Sequence, residues 1–122
     1  MKNFISLHYN NDNSIVGINV DDIVCAAYFE NDKRTQLYIE GEEDVTYFVN
    51  ETPAMIVKLV DDVRKFILVH SKVTNNSLII PRDIIRTVKE YNGGSIIAIT
   101  NPAFADFEVN EKPTSVIDML NS

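Results

Sequence analysis

The chain has 122 residues and one cysteine, Cys25. A lone cysteine excludes an internal disulfide framework and a cysteine-built zinc site. Its neighbours Ile23, Val24, Ala26 and Ala27 are apolar, so it reads as a buried structural thiol. Glycine is scarce, with four in the chain. The one adjacent pair, Gly93-Gly94, lacks the helix entry that a phosphate-binding loop needs. No H-E-x-x-H, G-x-S-x-G or C-x-x-C pattern occurs, which removes the common metalloprotease, hydrolase and thiol-redox signatures. No apolar run approaches the ~18 residues of a membrane span. Residues 1–8 lack the continuous apolar segment of a signal peptide, so the expected location is the cytoplasm. Basic residues are also few: 11 Lys and Arg stand against 18 Asp and Glu, a net charge of −7. An acidic chain repels nucleic acid and anionic membrane at long range, unless a local basic face overrides the total.

What is present is a pattern written twice. Val49-Asn50-Glu51-Thr52-Pro53 recurs as Val109-Asn110-Glu111-Lys112-Pro113. A shift of 62 positions pairs Phe4 with Phe66, Ile5 with Ile67, His8 with His70, Ile18 with Ile80, Asp21 with Asp83 and Ile23 with Ile85. The shift then becomes 60 and pairs Leu37 with Ile97, Ile39 with Ile99 and Tyr47 with Phe107. The two-residue slip falls between Glu30-Asn31-Asp32-Lys33-Arg34 and Asn92-Gly93-Gly94. Both are polar turns between apolar runs, and loop tips absorb length changes cheaply.

Each copy predicts five short strands and a helix. In the first the strands cover 4–9, 15–20, 23–29, 36–39 and 45–49. In the second they cover 66–71, 78–80, 84–91, 95–100 and 105–109. Polar turns separate them, and Asp21-Asp22 and Pro81-Arg82-Asp83 break the second strand from the third. Thr52 is a good N-cap and Pro53 suits the first helical turn. Ile56, Val57, Leu59, Val60 and Val63 then form one apolar stripe. Lys112 cannot cap, so the second helix is expected to start later, at Thr114 or Ser115, and to be shorter or frayed.

A unit of about 60 residues buries a small fraction of its surface and is marginal alone. The expected fold is therefore α+β and β-rich: a tandem repeat of a βββββα unit, residues 1–63 and 64–122, sharing one core about a pseudo-two-fold axis. Together they form one compact domain.

Candidate chemistry is thin. Asp21-Asp22 and Asp61-Asp62 read as a turn and a solvated helix end. His8 and His70 hold equivalent positions and would form a metal site or pH sensor if a dyad brought them together. Two ligands make a weak metal site, and no acidic partner is set by spacing, so no metal or other cofactor is expected. Charge is more informative. Residues 1–63 hold four bases and twelve acids, and residues 64–122 hold seven bases and six acids. The acids concentrate in Glu40, Glu42, Glu43 and Asp44, a candidate interaction loop. Lys72, Arg82, Arg86 and Lys89 are the candidate anion- or nucleic-acid-binding residues. Each block also suits a plain solvated face. Unequal halves permit head-to-tail contact between chains, or an anionic partner on the second half alone. Strand aromatics such as Tyr9, Tyr28, Phe29, Tyr38 and Phe48 could stack on bases. They lie mostly in the acidic half, whereas stacking platforms come with a positive groove.

Phe4-Ile5-Ser6-Leu7, then Ile18-Asn19-Val20-Asp21-Asp22-Ile23, then Val49-Asn50-Glu51 before a helix, resembles the flagellar FlbD-like family. Ile79-Ile80-Pro81-Arg82-Asp83-Ile84-Ile85 is similar to the strand-turn-strand of LytTR-type DNA-binding domains. The first resemblance implies no catalytic residue. The second implies DNA contact through basic loop residues, for which Lys72, Arg82 and Arg86 are the candidates, and the chain's acidity departs from that pattern. The expected role is a non-enzymatic protein–protein interaction or assembly domain, with a protein partner or self-association and no membrane. The alternative is a nucleic-acid-binding regulator acting through the second half. A third class is a small enzyme or ligand binder with a pocket between the copies.

Overall fold

The computed structural model describes residues 3–122. Alternating apolar positions make β1 (Phe4–His8) and β2 (Ile15–Asn19) an antiparallel hairpin. Its turn closes through the Tyr9 N–H to the Ser14 carbonyl, with Asn13 at φ 64°. Asparagine accepts that left-handed conformation more readily than most residues. A 3-10 turn at Val20–Asp22 follows, where the Asn19 side chain accepts from the Asp21 N–H. Then come β3 (Ile23–Phe29), β4 (Arg34–Ile39), β5 (Tyr47–Val49) and α1 (Pro53–Val60). The second half runs β6 (Phe66–His70), β7 (Ser77–Pro81), a 3-10 turn (Arg82–Ile84), β8 (Ile85–Tyr91), β9 (Gly94–Ile99), β10 (Phe107–Val109) and α2 (Pro113–Asn121). The fold is β-rich α+β, with three antiparallel sheets and two helices.

The first three strands of the two halves start 62 positions apart, and the last two strands and the helices start 60 apart. The slip falls in the hairpin loop, where one half turns at Lys33 (φ 51°) and the other at Asn92 and Gly93 (φ 49° and 82°). A Cβ on the next residue, Gly94, would collide with the Val109 carbonyl oxygen. Two expectations need correction. The fifth strands begin at Tyr47 and Phe107, two residues late, because β5 reaches only as far as Leu37 on β4. Helix α2 is neither short nor late: it starts at Pro113 and is one residue longer than α1. Proline needs no N–H partner at that position, so the missing side-chain cap does not delay the start.

The sheets are ordered β1-β2, β5-β4-β3-β7-β6 and β10-β9-β8. Single bridges, Tyr9 with Val49 and Ser71 with Val109, tie β1 to β5 and β6 to β10. The strands thus form one series: β2, β1, β5, β4, β3, β7, β6, β10, β9, β8. The halves meet where β3 pairs with β7, Ala26 opposite Ile79 and Ala27 opposite Leu78. A two-fold axis carrying β3 to β8 and β7 to β2 would also pair β8 with β2. Among the described residues β2 pairs with β1 alone and β8 with β9 alone. The junction between the halves thus uses unlike edges.

There are two apolar clusters, and each borrows from the other half. Leu7, Val20, Leu37, Val49, Ile56 and Val60 gather with Phe66 and Ile79 of the second half. Ile67, Val69, Ile80, Ile97, Val109 and Val116 gather with Val24 and Cys25 of the first. Opposite faces of β3, β6 and β7 serve different clusters because successive side chains alternate across a strand. The halves are stitched through the shared strands.

Candidate functional site

The recurring five residues form a strand-to-helix corner in each half. The Asn50 N–H donates to the His8 carbonyl at 2.9 Å, and the Asn50 side chain bonds those of Asn10 and Asn13 at 2.9 and 2.8 Å. Glu51 folds back onto β1. Its Oε1 accepts from the His8 backbone N–H at 3.0 Å, and its Oε2 lies 2.6 Å from His8 Nδ1. Thr52 then caps α1 by accepting from the Met55 N–H, and Pro53 opens the helix. In the second half the Asn110 N–H donates to His70, and Glu111 takes the His70 N–H and Nδ1 at 2.9 and 2.7 Å.

Glu51 is buried and Glu111 half-buried. Burial raises their pKa, but hydrogen bonds from the His8 and His70 side chains and main chains outweigh it. Both carboxyls end below their ordinary value of 4.5. An ionised carboxylate only accepts, so each Nδ1 donates to it. These acidic partners escaped the sequence reading because they lie 43 and 41 residues from their histidines. A signal existed: His8 with Glu51 and His70 with Glu111 are pairs in which both members recur.

The histidines line different hollows. His8 sits with Ser6, Glu51, Met55 and Leu59. His70 sits with Tyr28, Thr52, Pro53 and Asn75. Among the described residues no group of three or more His, Cys, Asp or Glu is placed to hold a metal. The basic candidates do not converge on one groove either. Lys72 Nζ donates to the Asn92 carbonyl. Arg82 donates to the Ser122 main-chain oxygen and hydroxyl at 2.8 and 3.2 Å. Arg86 and Lys89 are exposed on β8. Glu40, Glu42, Glu43 and Asp44 of the acidic loop are exposed. Glu42 accepts from the Tyr47 hydroxyl at 2.8 Å, and none of Glu40, Glu42, Glu43 or Asp44 joins an ion pair among the described residues.

Arg64 was not anticipated. Its Nη1 donates to the Val20 and Ile23 carbonyls at 2.8 and 2.9 Å, while Nε and Nη2 hold Asp83. It ties the 3-10 turn of one half to that of the other. Between the halves lies a hollow of about 360 Å³, lined by Cys25, Tyr38, Leu78, Phe104 and Phe107 among others. Burial pushes the Cys25 thiol up to about 12, which leaves no thiolate nucleophile there near neutral pH.

The most unusual surface is on the first hairpin. Phe4, Ser6 and His8 lie opposite Asn19, Gly17 and Ile15 on one face. Phe4 is 67% exposed and Ile15 68%, whereas Phe66, the counterpart of Phe4, is 7% exposed. Phe66 and Ile79 share a cluster with Ile56 and Val60 of α1, which lies against β6 and β7. The Phe66 face of the second hairpin is thus covered by the first half's helix, whereas the matching face of the first hairpin is exposed at Phe4 and Ile15. No protein-family model, curated protein or solved structure matches this chain. Its function must be read from this surface chemistry. Among the described residues no helix is long and apolar enough to cross a membrane.

Proposed function

We propose that this chain is a non-enzymatic assembly domain, built from a duplicated βββββα unit and binding protein through strand edges. The observation that carries this reading is the open β1–β2 hairpin. It presents Phe4 and Ile15 to solvent beside a strand that, among the described residues, has no partner on its outer side. Exposed apolar surface next to an open strand edge is a recognised protein-docking arrangement. Duplication is supported by the strand offsets and by the two corners, which repeat the same hydrogen bonds on non-identical sequences. The residues holding the corners serve architecture: both oxygens of Glu51 and of Glu111 are engaged. The acidic loop supplies a second surface that steers toward a basic partner. The FlbD-like resemblance brings no catalytic residue to this reading. The LytTR-type resemblance points to Lys72, Arg82 and Arg86, two of which already bind main-chain oxygens.

The test is a photo-crosslinking amino acid placed at Phe4 of the full chain in cells. A discrete protein adduct is expected, absent when the crosslinker replaces Val73, which is 85% exposed away from this face. Absence of any protein adduct would overturn the reading. So would DNA binding at low salt that weakens steeply as salt rises, which is the signature of a nucleic-acid binder.

A further inference from the structure

The internal junction is a template whose two sides each occur once more, unused. In the junction, β3 receives β7 on its outer edge, and α1 lies over the β6–β7 face. Strand β8 matches β3 and is open on that side, and β2 matches β7 and is open on its own. Helix α2 matches α1, and the Phe4 face matches the Phe66 face that α1 covers. We infer that the second half of one copy docks on the first half of the next. Strand β8 lies antiparallel beside β2, with Val88 opposite Gly17 and Lys89 opposite Val16, and α2 lies across Phe4 and Ile15. This rests on the assembly reading above and names the partner as a second copy of this chain.

Burial differences follow the same line. Residues Val24, Cys25 and Ala26 of β3 are buried, while Arg86 and Thr87 of β8 are exposed and Val88 is half-exposed. Strand β7 is buried from Leu78 to Pro81, while Ile15 and Gly17 of β2 are exposed. Each free side is what the junction would look like with its partner removed. His70 lines a hollow with Thr52, Pro53 and Ala54 of the first half. By the same geometry, His8 sits against Lys112, Pro113 and Thr114 of the neighbouring copy.

Charge selects this pairing over its rivals. The docking half carries Arg86 and Lys89 on β8 and Lys112 at the foot of α2, and the receiving half has twelve acids against four bases. Asp12, Asp21 and Asp22 flank β2 at its two ends. Charged residues on an edge strand normally prevent pairing. Here the basic pair repels a second β8 and attracts the acidic half that holds β2. The face is also less apolar than its template: Ser6, Gly17 and Asn19 stand where the second half has Leu68, Ile79 and Pro81. The contact between copies is therefore weaker than the covalently tethered one, which has the further advantage of high effective concentration.

The test uses two full-length variants, Val16→Cys and Lys89→Cys, mixed under mild oxidation. Directly opposed strand residues lie within disulfide reach, and Cys25 is buried and stays out of the reaction. The expected result is a mixed disulfide dimer several-fold in excess of either homodimer. It should be lost when Phe4→Glu is added to the Val16→Cys chain, with the circular dichroism spectrum unchanged. Dominant homodimers, or cross-linking no greater than that of a Val73→Cys control paired with Lys89→Cys, overturn the proposal. If cross-linking fails while the Phe4 photo-crosslinker captures a different protein, self-association falls and the assembly reading stands. If both fail, both readings fall.

Discussion

Glu51 and Glu111 are the residues on which the corners depend. Each accepts two hydrogen bonds from one histidine, both charge-assisted by the ionised carboxylate. Replacing Glu51 with Ala leaves the His8 N–H without its partner and should cost about 1.5–3 kcal/mol in urea unfolding. The acid dependence follows from the pKa directions. Both folded-state values lie below the ordinary 4.5. Their stabilisation is therefore complete above that value and is lost as pH falls through the folded values. The Tm should drop on acidification below about pH 4.5, and less steeply in Glu51→Gln/Glu111→Gln. Arg64 offers a contrast within one ion pair. Its side chain is 9% exposed, and that of Asp83 is 63% exposed. Asp83→Asn removes a solvent-screened charge and should cost no more than about 1 kcal/mol. Arg64→Met leaves two main-chain carbonyls without this donor and should cost about 1–3 kcal/mol per buried group left unpaired. Denaturant titration of the two variants checks the order. Neither partnership was legible in the sequence, because periodicity reports which face a residue occupies and not which distant residue meets it. The buried thiol was legible, since Cys25 lies in a continuous apolar run.

At the scale of elements the reading came closest. Strand β3 runs over the expected residues, and α1 begins at the proline that follows its threonine cap. These signals are local: apolar runs, turn residues and a cap. The fifth strands were overestimated because Val45 and Ala105 have suitable side chains but no strand beside them. Helix α2 was underestimated because proline sets the start without help from Lys112. The backbone at Lys112 (φ −71°, ψ 156°) is close to that at Thr52 (φ −74°, ψ 159°). Lys112→Thr should therefore supply the missing cap and stabilise the protein by about 1 kcal/mol, read as a rise in Tm. Gly94→Ala should act in the opposite direction, by forcing β9 away from the Val109 carbonyl.

At the scale of the molecule, the element starts of the two halves follow the offsets of 62 and 60 positions read from the sequence, and how the halves pack together was not legible. Sequence identity marks which residues correspond. Which edge meets which is decided by the connection from α1 into β6 and by the apolar faces then left to cover. That choice placed β7 against β3 and α1 over Phe66, and left β2, β8 and Phe4 without the same cover. An interface between unlike surfaces does not complete itself in a dimer, because each copy retains one free side. Sedimentation velocity over a wide concentration range measures this directly. The account predicts a weight-average mass that rises from the 13.8 kDa monomer and continues past twice that value without a plateau. It also predicts that Phe4→Glu holds the protein at the monomer mass. A monomer at every concentration, or a mass that levels off at the dimer, would contradict it.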